Sequence, residues 1–154
     1  MRCKNTSGAA LAPGDVVIID ADASSTITPT LIGVTTTTTA DDGKVWGMCT
    51  STAADGAEVE VQLWGPTDLL KVNGTTDIAI GDFLSTTTVA KIAAKATTGK
   101  AGLFAIALEA YATNDSLGVI DAFLCGTSSR YDGTVSASST INDDVNLVFG
   151  TTDA

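Results

Sequence analysis

Residues 58–65 read Glu58-Val59-Glu60-Val61-Gln62-Leu63-Trp64-Gly65, and their alternation is strict. Val59, Val61 and Leu63 fall on one side of an extended chain, and Glu58, Glu60 and Gln62 on the other, because successive side chains of a strand point to opposite faces. A helix would scatter the same residues around its circumference. The run therefore predicts a half-buried strand. Upstream, Lys44-Val45-Trp46-Gly47-Met48-Cys49-Thr50 is a second apolar run, preceded by the turn pair Asp42-Gly43. Asp55-Gly56 lies between the two, so they predict a hairpin with residues 53–56 near its tip.

The same order of signals occurs twice. Gly14-Asp15 opens Val16-Val17-Ile18-Ile19, and Gly81-Asp82 opens Phe83-Leu84-Ser85-Thr86. In the first half an apolar strand, an Asp-containing turn and a strand closing in Leu63-Trp64-Gly65 follow. In the second, Gly102–Ala110, the turn Asn114-Asp115 and Gly118-Val119-Ile120-Asp121-Ala122-Phe123-Leu124-Cys125-Gly126 follow, closing in Leu124-Cys125-Gly126. This predicts an all-β chain with an internal duplication, its halves at about 13–66 and 78–126 within a β-domain spanning 13–126. Residues 89–96 and 102–112 also satisfy helix propensity, so at most one short helix is expected. The repeat, with Phe104, Ile106 and Leu108 alternating, favours a strand in the latter segment, these three sharing a face.

Residues 1–12 read as an N-terminal arm ahead of Pro13-Gly14. The Thr-rich stretch 24–40 contains Ile27, Leu31, Ile32 and Val34, enough for one or two weak strands. Residues 127–154 read as a polar, turn-rich C-terminal extension with a last strand, in which Val145, Leu147 and Phe149 alternate. That strand would close the body or pair with a neighbouring subunit, and these three residues are the candidate subunit interface.

Composition narrows the function. Of 154 residues, 44% are hydrophobic but only 5% aromatic, and charged residues make up 17%. Roughly one residue in six is threonine, whose branched Cβ suits a pleated surface. The formal net charge of −10 argues against a nucleic-acid partner and against an anionic membrane surface. No segment is apolar and long enough to predict a membrane span. Cys3, Cys49 and Cys125 show no CxxC spacing and read as small buried hydrophobes, in keeping with synthesis in a reducing cytoplasm. With 0 histidines, Ser-His-Asp, Cys-His and His-metal sites are ruled out, and no P-loop, GxSxG or GxGxxG occurs. Asp20/Asp22, Asp41/Asp42 and Asp143/Asp144 read as solvated turn residues rather than a cation site. Trp46 and Trp64 could form a sugar-stacking platform, but core packing is the favoured reading. The N-x-[ST] matches at Asn5, Asn73 and Asn114 are ascribed to chance in a Thr/Ser-rich chain. Nothing here predicts an enzyme, a cofactor or a metal.

Gly14-Asp15-Val16-Val17, Gly43-Lys44-Val45-Trp46-Gly47-Met48 and Asp55-Gly56-Ala57-Glu58-Val59-Glu60-Val61 together resemble the head decoration (cement) proteins of tailed bacteriophages. Gly81-Asp82-Phe83-Leu84, Ala105–Ala110 and Val119–Leu124 continue the resemblance, which covers about residues 13–126. It implies a small β-barrel or β-tulip-like domain, extended terminal arms, and a homotrimer on the outside of the virion that binds the major capsid protein lattice. On that reading the arm residues Arg2, Lys4, Asn5, Leu11 and Pro13 are the candidate capsid interface, and the protein is made in the host cytoplasm. The alternative reading is a carbohydrate- or cell-surface-binding β-module of a fibre or adhesin.

Overall fold

In the computed structural model the run that alternates in sequence is a strand that buries Val59 and Val61 and exposes Glu58 and Glu60. The structure describes residues 1–21, 31–97, 102–112 and 115–126. The regular elements among them are all strands. They are β1 (Arg2–Asn5), β2 (Val16–Ile19), β3 (Ile32–Thr35), β4 (Val45–Cys49), β5 (Glu58–Gln62), β6 (Trp64–Asn73), β7 (Phe83–Thr86), β8 (Ala93–Lys95), β9 (Ala105–Ala107) and β10 (Gly118–Cys125). The expected hairpin is β4–β5, with Met48 opposite Gln62 and Cys49 opposite Val61. No helix occurs among the described residues; 93–95, ambiguous in sequence, is β8.

The strands close into two barrels, ordered β1-β3-β2-β4-β5 and β6-β8-β7-β9-β10 around their circumferences. In each, the opening strand runs parallel to the third strand and antiparallel to the fifth. All-β, barrel and duplication are thus one architecture, and the repeat extends to hydrogen bonds. Gly14 and Gly81 both have positive φ, 85° and 89°. Gly14 N–H donates to the Cys49 carbonyl and Gly81 N–H to that of Ala107, at 2.9 and 2.8 Å. Asp15 Oδ2 accepts the Ala12 N–H at 3.0 Å, as Asp82 Oδ2 accepts the Ala79 N–H at 2.8 Å. Leu11 bridges Ala53 as Ile78 bridges Tyr111. The Gly-Asp pair recurs because its glycine supplies the left-handed turn and its carboxylate caps it.

Two expectations are corrected. The repeat begins one strand earlier than 13 and 78: β1 and β6 open the two units. Residues 1–12 are therefore not a free arm. β1 lies between β3 and β5, and Cys3 and Leu11 join Val17, Val34, Cys49, Val59 and Val61 in the first core. Short polar Arg2-Cys3-Lys4-Asn5 gives no periodic signal, and only a parallel, non-local partner makes it a strand. The segment expected as a strand from its alternation is β9. Ala105 and Ala107 point into the barrel, Ile106 is half-buried and Leu108 exposed.

The barrels pack against each other. Val16, Ile18, Val45 and Met48, on the outer wall of the first, join the core of the second, which holds Leu70, Val72, Leu84, Ile120 and Leu124. Polar groups clasp the seam. Asp41 accepts the Ser85 hydroxyl at 2.5 Å, the Thr86 hydroxyl accepts the Asp42 N–H at 2.8 Å and donates to the Thr39 carbonyl at 2.9 Å. The buried Asp15 carboxylate pairs with Lys71 and, at 3.6 Å, with Lys91. Asp41 and Asp42, expected as solvated turn residues, are parts of this clasp.

Candidate functional site

Closed barrels leave no free sheet edge within the described residues, so any partner must be met by side-chain walls or by segments outside the strands. The wall of the first barrel is charged. β1 and β5 present Arg2, Lys4, Glu58 and Glu60, with Arg2 and Glu58 ion-paired and Lys4 opposite Glu58 in register. That pairing, with a further pull from Glu60, holds the Arg2 guanidinium above its ordinary value.

The wall of the second barrel is apolar. Register places Phe83, Ile106, Phe123 and Pro66 in one row across β7, β9, β10 and β6. All four point outward and none is fully buried. Around this row Trp64 is 61% exposed, Leu108 48% and Val119 51%. Trp64 meets Phe123 edge to face, their ring centroids 5.4 Å apart. Beside the row, Pro66, Thr67, Asp68, Leu108 and Asp121 line a shallow groove of about 320 Å³. The positions of β5 that correspond to Val119, Asp121 and Phe123 are Glu58, Glu60 and Gln62, so the duplication has kept the fold and changed the chemistry of the wall.

Sequence reasoning missed this wall and misplaced Trp64, which lies on the surface. From Leu103 to Leu108 every residue is apolar, so alternation cannot tell core from wall. Trp46 does pack against the first core.

Of the expected interface residues, Arg2 is exposed and Lys4 and Pro13 half-buried. Asn5 and Leu11 are 0% exposed. The Asn5 amide donates to the carbonyls of Ala9, Ala53 and Ala54 at 2.8, 3.2 and 3.1 Å, and its Oδ1 accepts the Ser7 N–H at 3.0 Å. It fastens the β1 exit to the β4–β5 hairpin. Val145, Leu147 and Phe149 lie outside the described residues, as do Ile27, Asp22, Asn114, Asp143 and Asp144.

The three cysteines are buried and in no disulfide. Burial pushes the Cys49 thiol up to about 12, with Asp15 and Cys3 adding to it, and burial also raises Cys3. Neither is a poised nucleophile. Among the described residues no three His, Cys, Asp or Glu side chains are grouped to hold a metal ion. No helix among them is long and apolar enough to cross a membrane.

Fold and wall define a tandem-barrel all-β protein with one charged and one apolar outer surface. No family model matches the chain, and no curated protein does. Among solved structures the chain is similar in fold to the one described as the head fiber gp8.5 N base in bacteriophage phi29. The two are 14% identical, with a TM-score of 0.49, over 84% of this chain and 95% of that one.

Proposed function

We propose that the protein is a non-enzymatic structural component of a bacteriophage head, decorating the capsid exterior as a homotrimer and binding the outer surface of the major capsid protein lattice. The observation that carries the reading is the apolar wall of the second barrel, with Trp64, Leu108 and Val119 around the groove. Exposed apolar surface of this kind, rimmed by Asp68 and Asp121, suits a protein partner. The resemblance of residues 13–126 to decoration proteins supplies the identity of that partner. A frame of two closed barrels without disulfides also suits a part whose work is to stay folded while bound.

The test is to mix the purified protein with undecorated capsids and image them by cryo-electron microscopy. Density on the outer lattice is expected, and capsids left bare would sink the reading. The double variant Leu108→Glu/Val119→Glu should keep its strand circular dichroism and lose about tenfold or more in capsid affinity, as removal of a central apolar anchor does. Unchanged affinity would move the contact elsewhere on the molecule.

A further inference from the structure

Two surfaces meet where the barrels join, and the duplication repeats each of them without its counterpart. The surface of the first barrel is its outer wall. Val16 lies opposite Met48 across β2 and β4, and Gly14, Asp15, Val16 and Met48 are all buried. Val16 and Met48 belong to the same cluster as Phe104 and Leu124 of the second barrel, which are 1% and 0% exposed. The second barrel also contributes a cation. Lys71 pairs with Asp15 Oδ1, while Asp15 Oδ2 accepts the Ala12 N–H and faces Lys91.

Register fixes the equivalent positions. Phe83 lies opposite Ile106 as Val16 lies opposite Met48, so Gly81, Asp82, Phe83 and Ile106 are the same wall on the second barrel. None of these four is buried. Lys4 faces Glu58 as Lys71 faces Val119, so Lys4 stands for Lys71. Trp46 and Leu63 stand for Phe104 and Leu124, and both are half-buried against the first core. The carboxylates carry the correspondence down to the atom. Asp82 Oδ2 accepts the Ala79 N–H and pairs with Lys95 at 2.9 Å, as Asp15 Oδ2 serves Ala12 and Lys91. Asp82 Oδ1, equivalent to the oxygen that Lys71 holds, has no partner among the described residues, and Lys4 makes no ion pair among them.

We propose that the second barrel of one copy seats on the first barrel of another, head to tail, through a repeat of the seam inside the chain. Phe83 and Ile106 cover Trp46 and Leu63 of the second copy, whose Lys4 takes Asp82 Oδ1. A second copy is the occupant because it carries the matching surface, cation included. The contact joins two different surfaces, so copies either close into a ring or extend as a filament. Three copies closing it give the homotrimer proposed above, on which this inference rests for the number of copies. The capsid contact stays separate. Leu108 and Val119 correspond to Thr50 and Glu58, neither of which the intrachain seam buries.

A photoreactive p-benzoylphenylalanine in place of Phe83 tests it, in an equal mixture of isotope-labelled and unlabelled full chains without capsids. In the seam Val16 N–H donates to the Lys91 carbonyl at 2.8 Å, and Ile32 stands for Lys91. Irradiation should therefore join position 83 of one chain to residues 2–5 or 32–35 of another. Adducts to residues 127–154 of the same chain would overturn the proposal and put the chain's own tail on the wall. Adducts elsewhere on a second copy would overturn the head-to-tail contact and leave the homotrimer standing. Absence of any protein adduct would overturn it as well. A monomer in sedimentation would then remove the homotrimer too, while capsid imaging would still decide the lattice reading. The second measurement is the sedimentation of Lys4→Met, which keeps the side-chain stem. Its self-association should weaken about tenfold or more, whereas Leu108→Glu/Val119→Glu should associate as the parent does. Unchanged association of Lys4→Met would overturn the pairing with Asp82 and the proposal with it.

Discussion

At the scale of single residues, the chain relies on side chains that look incidental in sequence. Asn5 and Asn73 fall in chance N-x-[ST] matches, yet each leads a turn: Asn5 Oδ1 takes the Ser7 N–H at 3.0 Å and Asn73 Oδ1 the Thr75 N–H at 2.9 Å. What marks them is recurrence at the end of an opening strand, a signal hidden until β1 and β6 are known to be equivalent. Replacing Asn5 by Ala removes the amide's bonds to the Ala9, Ala53 and Ala54 carbonyls and takes the acceptor from the Ser7 N–H, and should cost about 2–3 kcal/mol in urea unfolding. Gly14→Ala meets two obstacles at once, a φ of 85° and the Leu69 carbonyl. It should destabilise by about 3 kcal/mol or more, where left-handed strain alone costs about 1–2 kcal/mol. The alternation of Val59 and Val61 was legible because one side of β5 meets solvent and carries glutamates. Phe104, Ile106 and Leu108 marked their segment as a strand but not which side is buried, because it is apolar on both sides.

At the scale of elements, hairpins were legible and the opening strands were not. A hairpin announces itself through the turn between its strands, whereas β1 and β6 depend on parallel partners far away in sequence, and β6 is further disguised by Gly65 and Pro66. The candidate wall suffered the same fate, since a surface assembled from β6, β7, β9 and β10 exists only once register is set. The seam between barrels is also an element-level product. Thr86→Val keeps the shape of the side chain but leaves the Asp42 N–H and the Thr39 carbonyl unpaired, so a loss of about 1–3 kcal/mol is expected by thermal denaturation. Burial alone would raise the Asp82 carboxyl, but Lys95 and the Ala79 N–H outweigh it and hold the group below its ordinary value. A lowered folded-state value means stability that is present above the ordinary carboxylate range and lost as pH falls through it. Asp82→Asn should therefore be less stable than the parent at neutral pH and show a shallower decline in melting temperature on acidification; identical slopes would count against the pair.

At the scale of the whole molecule, a core that draws Val16, Ile18, Val45 and Met48 into the second barrel makes the two units one cooperative body. Calorimetric and van't Hoff enthalpies of unfolding should agree, and two separable transitions would show the seam to be weak. The double use of β6 also bears on synthesis. β1 must wait for β5 before the first barrel closes, and its bare outer wall must then wait for residues 66–71. During translation the first unit is thus completed only as the second one starts, by the same strand. A nascent chain that has emerged from the ribosome only as far as Leu63 would hold a closed barrel with Val16 and Met48 open to solvent, the state of this chain most prone to capture by a chaperone or a neighbouring nascent chain.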